Sequence, residues 1–329
     1  MRIDELVTPA LLVDADYFAH NLATMAVALP GGRLRPHVKA HKCTALARRQ
    51  VAEGHRSFTC ATIHEVEGMA AAGLGDDLLL ANEVLDASRL GKLDARVTVA
   101  VDSLQTIEAA VKGGVKEVLI DVTVGLPRCG CPPDSAGELG DMARTRGLTV
   151  RGVMGYEGHA GGLDDRGLRQ ELVAQSMELL VKAHKAVGGE IISAGATGTY
   201  DINTWANEIQ AGSYALMDTA YAKLGLPFKQ ALSVLATVIS VSTDGYAVAN
   251  CGLKALAMDH GKPDIDGGGT VLIVSDEHVT FIPETAVAVG DRVRILPAHV
   301  DPTVAYHERL HLVGGDEVLE SWEVDLRGW

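Results

Sequence analysis

Cysteine is scarce in this sequence, and what there is does not pair: Cys43, Cys60, Cys129, Cys131 and Cys251 are an odd five with no C-x-x-C spacing. That composition argues against a disulfide framework or a zinc knuckle and leaves reduced thiols in the cytoplasm as the simplest expectation. Aromatic residues are few as well, at 4%, against 36 glycines. An aromatic-rich β-sandwich is disfavoured, and many tight strand-to-helix turns are favoured. Basic residues are outnumbered 29 to 43, for a net charge of −14, and no basic run follows residue 42. Phosphate backbones and anionic membrane surfaces would both be repelled, so neither nucleic acid nor membrane is an expected partner. No apolar run approaches the ~20 residues of a membrane span, and Met1–Leu6 is too acidic for a secretory signal. Also missing is a G-x-G-x-x-G turn after the first strand, which a dinucleotide-binding doubly wound sheet would carry.

What is present is a repeated theme. After the short strand Ala10–Asp14, residues Phe18, Leu22, Met25 and Leu29 give helical spacing over 15–29. A strand over Leu34–Lys39 follows, and then short apolar runs alternate with helical stretches: 57–60, 77–81, 97–101, 117–121, 150–154, 190–193 and 209–214. With Leu34–Lys39 these make eight strands, which predicts an α/β fold, a (β/α)8 TIM barrel. Past residue 230 the helical spacers stop, and strand-like segments follow one another: 232–241, 246–250, 270–274, 279–282, 291–296 and 317–324. The expected organisation is a barrel over 10–229 and a second, smaller C-terminal β domain over 230–329, completed by residues 1–9.

The barrel's first strand is chemically odd. At a two-residue period, Leu34, Pro36, Val38 and Ala40 share one face, while Arg35, His37, Lys39 and His41 share the other. Unpaired buried charge is costly, so packing does not explain that second face, and Lys39 becomes the first candidate for catalysis. Barrels hold phosphate in the loops after strands seven and eight. Here those loops read Ser193–Thr199 and Gln210–Ser213. Small residues such as Gly198 and Gly212 let backbone N–H groups approach an anion, and Thr197, Thr199 and Ser213 add hydroxyls. Spacing alone is equally that of two glycine turns; placement in these two loops favours phosphate. An inward lysine with a phosphate site across the barrel suggests a phosphate-bearing aldehyde, pyridoxal 5′-phosphate held as a Schiff base.

At this point the sequence resembles a known family. Arg35–Lys42, Val124–Gly130, Tyr156-Glu-Gly-His159, Gly195–Asp201, Gln210–Tyr214 and Pro297–Thr303, in this order along nearly the whole chain, are similar to the D-threonine aldolase and D-serine dehydratase family. Those proteins are alanine-racemase-like, fold-type III pyridoxal phosphate enzymes. The resemblance implies that Lys39, rather than Lys42, carries the cofactor; the strand register points the same way. It places Arg128 near the phenolic oxygen and Tyr156 on the pyridine ring, and it puts Gln210 where alanine racemases have an arginine facing the ring nitrogen. His159, just past strand six, is a candidate base. His299 and Asp301 lie two apart, so that from a strand or extended loop both could meet one divalent ion. H-x-D is weak by itself, and the resemblance gives it weight: aspartate at the second position is typical of the aldolases, cysteine of the zinc-dependent dehydratases. An oxygen ligand favours Mn²⁺ or Mg²⁺ over Zn²⁺.

The function expected from this is a metal-assisted aldolase acting on D-β-hydroxy-α-amino acids of D-threonine type, a small-molecule lyase giving glycine and an aldehyde. The alternatives are β-elimination by a D-serine or D-3-hydroxyaspartate dehydratase and, from another class, a non-catalytic pyridoxal phosphate carrier. A homodimer is implied by the resemblance only.

Overall fold

The computed structural model describes residues Met1 to Trp329. They form two compact units: Met25–Lys39 with Ala47–Gly212 and Gly328–Trp329, and Met1–Thr24 with Ala40–Leu46 and Ser213–Arg327.

The chain opens with β1 (Ala10–Asp14) and α1 (Ala15–Ala28). The barrel unit then carries the parallel strands β2 (Ser57–Cys60), β3 (Asp77–Leu80), β4 (Val97–Val101), β5 (Glu117–Asp121), β6 (Thr149–Met154), β7 (Ile191–Ala194) and β8 (Glu208–Ile209), hydrogen-bonded in sequence order. Between or before them run α2 (Thr44–Ala52), α3 (Ile63–Ala71), α4 (Leu104–Lys112), α5 (Ala136–Thr145) and α6 (Arg166–Val187). Leu79, Ala100, Leu119, Met154 and Ile191 fill the interior as one buried cluster, the packed centre expected of a small barrel.

Seven strands, not eight, are regular. The eighth place is taken by the extended segment 34–37, which bridges both ends of the sheet: Leu34 to Ile209 of β8 and His37 to Thr59 of β2, each in parallel sense. Arg35 and His37 donate their N–H groups to the carbonyls of Ile209 and Ala211 at 2.9 and 3.1 Å, and Pro36 accepts from Thr59 N–H at 2.9 Å. The ring thus closes without a regular strand, because Pro36 has no N–H to give and the backbone turns away after His37. The eighth predicted strand, 209–214, is likewise shorter than expected and ends at Ile209.

At the N-terminal ends of the strands the barrel is plugged by ions rather than by apolar side chains. Arg35 (2% exposed) meets Asp77 at 3.0 Å and Glu208 at 2.9 Å, and Arg151 meets Asp77 at 2.8 Å, Glu117 at 3.5 Å and Glu190 at 3.1 Å. Asp77 feels the burial, but hydrogen bonds from Arg151 and the charge of Arg35 outweigh it and hold the carboxyl at about 2. Arg35 is therefore a structural cation at the closed end, not a member of a reactive row.

The second unit adds α7 (Thr219–Ala222), β9 (Leu232–Val241), β10 (Ala247–Ala249), β11 (Asp264–Ile265), β12 (Gly269–Val274), β13 (Val279–Pro283), β14 (Arg292–Leu296), α8 (Val300–Ala305), β15 (Arg309–Gly314) and β16 (Glu317–Glu323). Its main path runs β12-β13-β10-β9-β1-β15-β16. The sequence had assigned Ala10–Asp14 to the barrel; β1 lies instead inside this sheet, antiparallel to β9 and parallel to β15. Leu11, Leu12 and Val13 are wholly buried, and burial on both faces suits a central strand, at about 1.5–3 kcal/mol for each such side chain.

Candidate active site

Lys39 is set by a turn rather than by strand alternation. Beyond His37 the chain winds into a single 3₁₀ turn, Val38–Ala40, at the end of the barrel where functional groups gather. His37 Nδ1 accepts the Lys39 N–H at 3.4 Å and folds the turn back. The Lys39 ammonium lies 5.8 Å from the centroid of Tyr156, just past β6, and the Arg128 guanidinium, in the loop after β5, lies 5.2 Å from the same ring. Three residues singled out from sequence are thus brought together: an amine, an aromatic face and a guanidinium. Lys42 differs. It adopts a left-handed φ of +50°, and its ammonium donates to the carbonyl oxygen of Asp301 at 2.7 Å.

The loop around Arg128 carries acid that sequence reasoning missed. Burial and the neighbouring Glu83 carboxyl push Asp121 well above the usual carboxylate range, although Arg128 pulls the other way. Asp102 accepts the Gly130 N–H at 3.2 Å and pins the turn. Cys129 in this turn is exposed, while Cys131 is buried. In the same loop Gly125, at φ +125°, has no room for a side chain: a Cβ would come within 2.7 Å of the His159 ring. His159 therefore lies against the backbone of the Arg128 loop, and its Nδ1 is buried with no hydrogen-bond partner.

The glycine-rich loop after β7 is organised from beneath by a residue not singled out in the sequence. Glu157, wholly buried, accepts hydrogen bonds from Gly195 N–H at 3.1 Å, Thr199 Oγ1 at 2.9 Å and Asn203 Nδ2 at 2.9 Å. The Thr199 hydroxyl is also the acceptor for Ala196 N–H at 3.0 Å. Its one proton is spent on Glu157, so Thr199 braces the loop and does not donate to a phosphate. Gly195, at φ +88°, packs so closely that a Cβ would stand 2.9 Å from Ile209. Thr197, Gly198 and Gly212 are buried in these loops. Gln210 donates through Nε2 to Ser193 Oγ at 2.8 Å, linking the ends of β7 and β8. Ser213 opens a 3₁₀ turn in the other unit, its carbonyl accepting from Leu216 and Met217. An amine, an aromatic ring, a guanidinium and two loops of small residues fit pyridoxal phosphate: an aldehyde to carry, a ring to cover and an anion to hold.

His299 and Asp301 are not on a strand. His299 is the N-cap of α8 and Asp301 lies in its first turn. The start of that helix is fixed by Asp218, a buried carboxylate that accepts Val300 N–H and Tyr221 N–H, both at 2.9 Å, and so ties α7 to α8. Asp301 Oδ1 is buried without a hydrogen-bond partner. His299 Nδ1 is 2.7 Å from Asp259 Oδ2, and the His260 and His299 rings are stacked at 3.8 Å and 10°. The potential donor atoms of Asp259, His260 and His299 all lie within 4.8 Å of one another. An unpartnered buried carboxylate oxygen on Asp301 and, two residues before it, the His299 imidazole are donors of the types that fit a divalent cation. Asp259 and His260 had a visible signal, an acid next to a histidine, but nothing in the sequence linked them to a helix 40 residues on.

Two family models match the chain. The family model for the alanine racemase N-terminal domain matches residues 13–220, and that for a putative serine dehydratase domain matches 231–313. The D-threonine aldolase of Arthrobacter sp. is 33% identical over 100% of this chain and 94% of its own length. The chain belongs to the alanine-racemase-like family of D-threonine aldolases and D-serine dehydratases. Within that family, the 3-hydroxy-D-aspartate aldolase of Paracoccus denitrificans is 32% identical, with the same coverage of 100% and 94%. The crystal structure of D-threonine aldolase from Filomicrobium marinum superposes with a TM-score of 0.94 at 33% identity, covering 99% of this chain and 97% of that one. No helix is long and apolar enough to cross a membrane.

Proposed function

We propose that this chain is a pyridoxal phosphate-dependent, divalent-metal-assisted aldolase that cleaves D-β-hydroxy-α-amino acids of D-threonine type to glycine and an aldehyde. The observation that carries the choice of reaction is Asp301 Oδ1, a buried and unpartnered oxygen two residues from His299. It offers a hard anionic ligand where a dehydratase of this family would typically offer a thiolate.

Pyridoxal phosphate supplies an electron sink for negative charge at Cα, and a divalent ion on His299 and Asp301 supplies Lewis acidity for the substrate's β-hydroxyl. The remaining work falls to side chains. Lys39 is the amine that carries the cofactor, Tyr156 covers its ring, and Arg128 faces its polar edge. Gln210, a neutral amide, stands towards the ring nitrogen. The loops containing Thr197, Gly198, Gly212 and Ser213 hold the phosphate, with Thr199 as an internal brace. His159 takes the β-hydroxyl proton at its imidazole nitrogen as the O–H electrons form the aldehyde C=O. The Cα–Cβ pair stays with Cα, and return of a proton to Cα gives glycine. In this reading the molecule works as a homodimer in the cytoplasm.

Offering D-threonine, D-3-hydroxyaspartate and D-serine to the metal-loaded enzyme tests the proposal. Glycine and an aldehyde are the expected products. Ammonia with a keto acid, and neither glycine nor aldehyde, would make the chain a dehydratase. No turnover of any of the three, with pyridoxal phosphate still bound, would make it a carrier.

A further inference from the structure

His299 is gripped along one side. Residues 299, 303 and 307, spaced four apart across α8 and its two flanks, each meet an alternate residue of the segment 255–259, which runs from one turn into the next. His307 Nε2 contacts the Ala255 carbonyl at 2.9 Å, Thr303 Oγ1 accepts the Ala257 N–H at 3.1 Å, and His299 Nδ1 meets Asp259 Oδ2 at 2.7 Å. Along both elements the contacts progress by a fixed step, in opposite directions. Asp259, although half-exposed, is therefore delivered to His299 by a clamped backbone rather than by a mobile surface loop.

The geometry of the three donors decides their roles. A metal ligand nitrogen directs its lone pair in the ring plane, at roughly 2.0–2.2 Å from the ion. With rings parallel to within 10° and centroids 3.8 Å apart, an ion in the plane of His299 sits well outside the plane of a His260 ring lying over it. His260 thus covers His299 without sharing its ion. Asp259 Oδ2 occupies the hydrogen-bonding direction of Nδ1, which leaves Nε2 as the lone-pair nitrogen. Imidazole in water prefers the opposite tautomer only weakly, so one strong acceptor is enough to fix it.

We infer that Asp259 is a positioning residue: it accepts the Nδ1–H of His299 and so presents Nε2 to the divalent ion, with Asp301 supplying the oxygen ligand. This rests on the metal-assisted reading above and adds a residue to it. Such outer partners of metal-bound histidine contribute about 10–100-fold in affinity.

The test is Mn²⁺ binding to pyridoxal phosphate-loaded enzyme, read from the loss of the free-ion EPR signal, together with ¹⁵N-histidine NMR of the enzyme before metal is added. His299→Ala should lose more than about 100-fold in Mn²⁺ affinity, and Asp259→Ala about 10–100-fold. Asp259→Asn, whose amide oxygen can still accept the proton, should stay within about threefold of wild type, as should His260→Ala. The NMR spectrum should show His299 protonated at Nδ1 in wild type and shifted towards Nε2–H in Asp259→Ala. If His299→Ala binds Mn²⁺ like wild type, the metal reading itself is wrong. If His299→Ala loses the ion while Asp259→Ala keeps it, or wild-type His299 carries its proton on Nε2, the positioning role is wrong and the metal site stands. Equal losses in Asp259→Asn and Asp259→Ala would make Asp259 a ligand, and a large loss in His260→Ala would make His260 one.

Discussion

Thr199 gives its hydroxyl proton to Glu157 across 2.9 Å while accepting the Ala196 N–H at 3.0 Å, so the loop after β7 is shaped from below before anything binds above it. Glu157→Ala should leave Gly195 N–H, the Thr199 hydroxyl and the Asn203 amide without their buried acceptor. An unsatisfied buried donor costs about 1–3 kcal/mol, so urea denaturation should show a loss on the order of 4 kcal/mol. Glu157→Gln keeps one carbonyl oxygen and should lose roughly half of that. Both variants should need more pyridoxal phosphate for saturation.

Lys39 and Lys42 make a paired test. Lys39→Ala should abolish the visible absorption of lysine-bound pyridoxal phosphate. Lys42→Ala should retain it, while losing the hydrogen bond to the Asp301 carbonyl and about 1 kcal/mol of stability. Absorption surviving in the first variant and vanishing in the second would move the cofactor to Lys42.

Metal dependence should be reversible. Chelator treatment should stop aldehyde production without discharging pyridoxal phosphate, and Mn²⁺ should restore it better than Zn²⁺. Asp301→Ala should fail to recover on Mn²⁺ addition at concentrations that saturate the wild type, with unchanged cofactor absorption.

The plug at the closed end predicts a pH dependence of stability. Asp77 is held at about 2, below the 3.8 of a free aspartate, so its contribution is fully present above about pH 4 and is lost as pH falls towards 2. The shift corresponds to about 2 kcal/mol. Asp77→Asn, which leaves Arg35 with Glu208 and Arg151 with Glu117 and Glu190 as their remaining charge partners, should cost about 1–3 kcal/mol at pH 7. Denaturation at pH 7, 4 and 3 should show the gap between variant and wild type narrowing in the acid range.

Where local pattern decides structure, the sequence was legible. Strands 57–60, 97–101, 117–121 and 232–241 end where their apolar runs end, because burial and turn residues act over a few positions. Leu34–Lys42 was legible only in part: alternation separated the right side chains, but Arg35 is neutralised by Asp77 and Glu208, partners 42 and 173 positions away. Lys39 reaches Tyr156 through a turn that no periodicity encodes. α8 was missed because six residues with Pro302 and the β-branched Val300 and Thr303 read as extended, whereas proline is tolerated in a first helical turn. β15 was missed because Arg309 and His311 break its apolar pattern.

The segment that closes the barrel has a consequence for the order of assembly. One of its edges pairs with Thr59, some twenty residues downstream, and the other with Ile209 and Ala211. During synthesis the first edge can be satisfied early, while the second must wait until some 170 further residues have emerged. Loop-closure entropy has to be met before such a distant contact is rewarded. The stretch leading into Lys39 is therefore among the first parts of the barrel to be made and the last to be enclosed. A nascent or truncated chain that stops short of Glu208 would present an open strand edge immediately beside the lysine on which the chemistry depends.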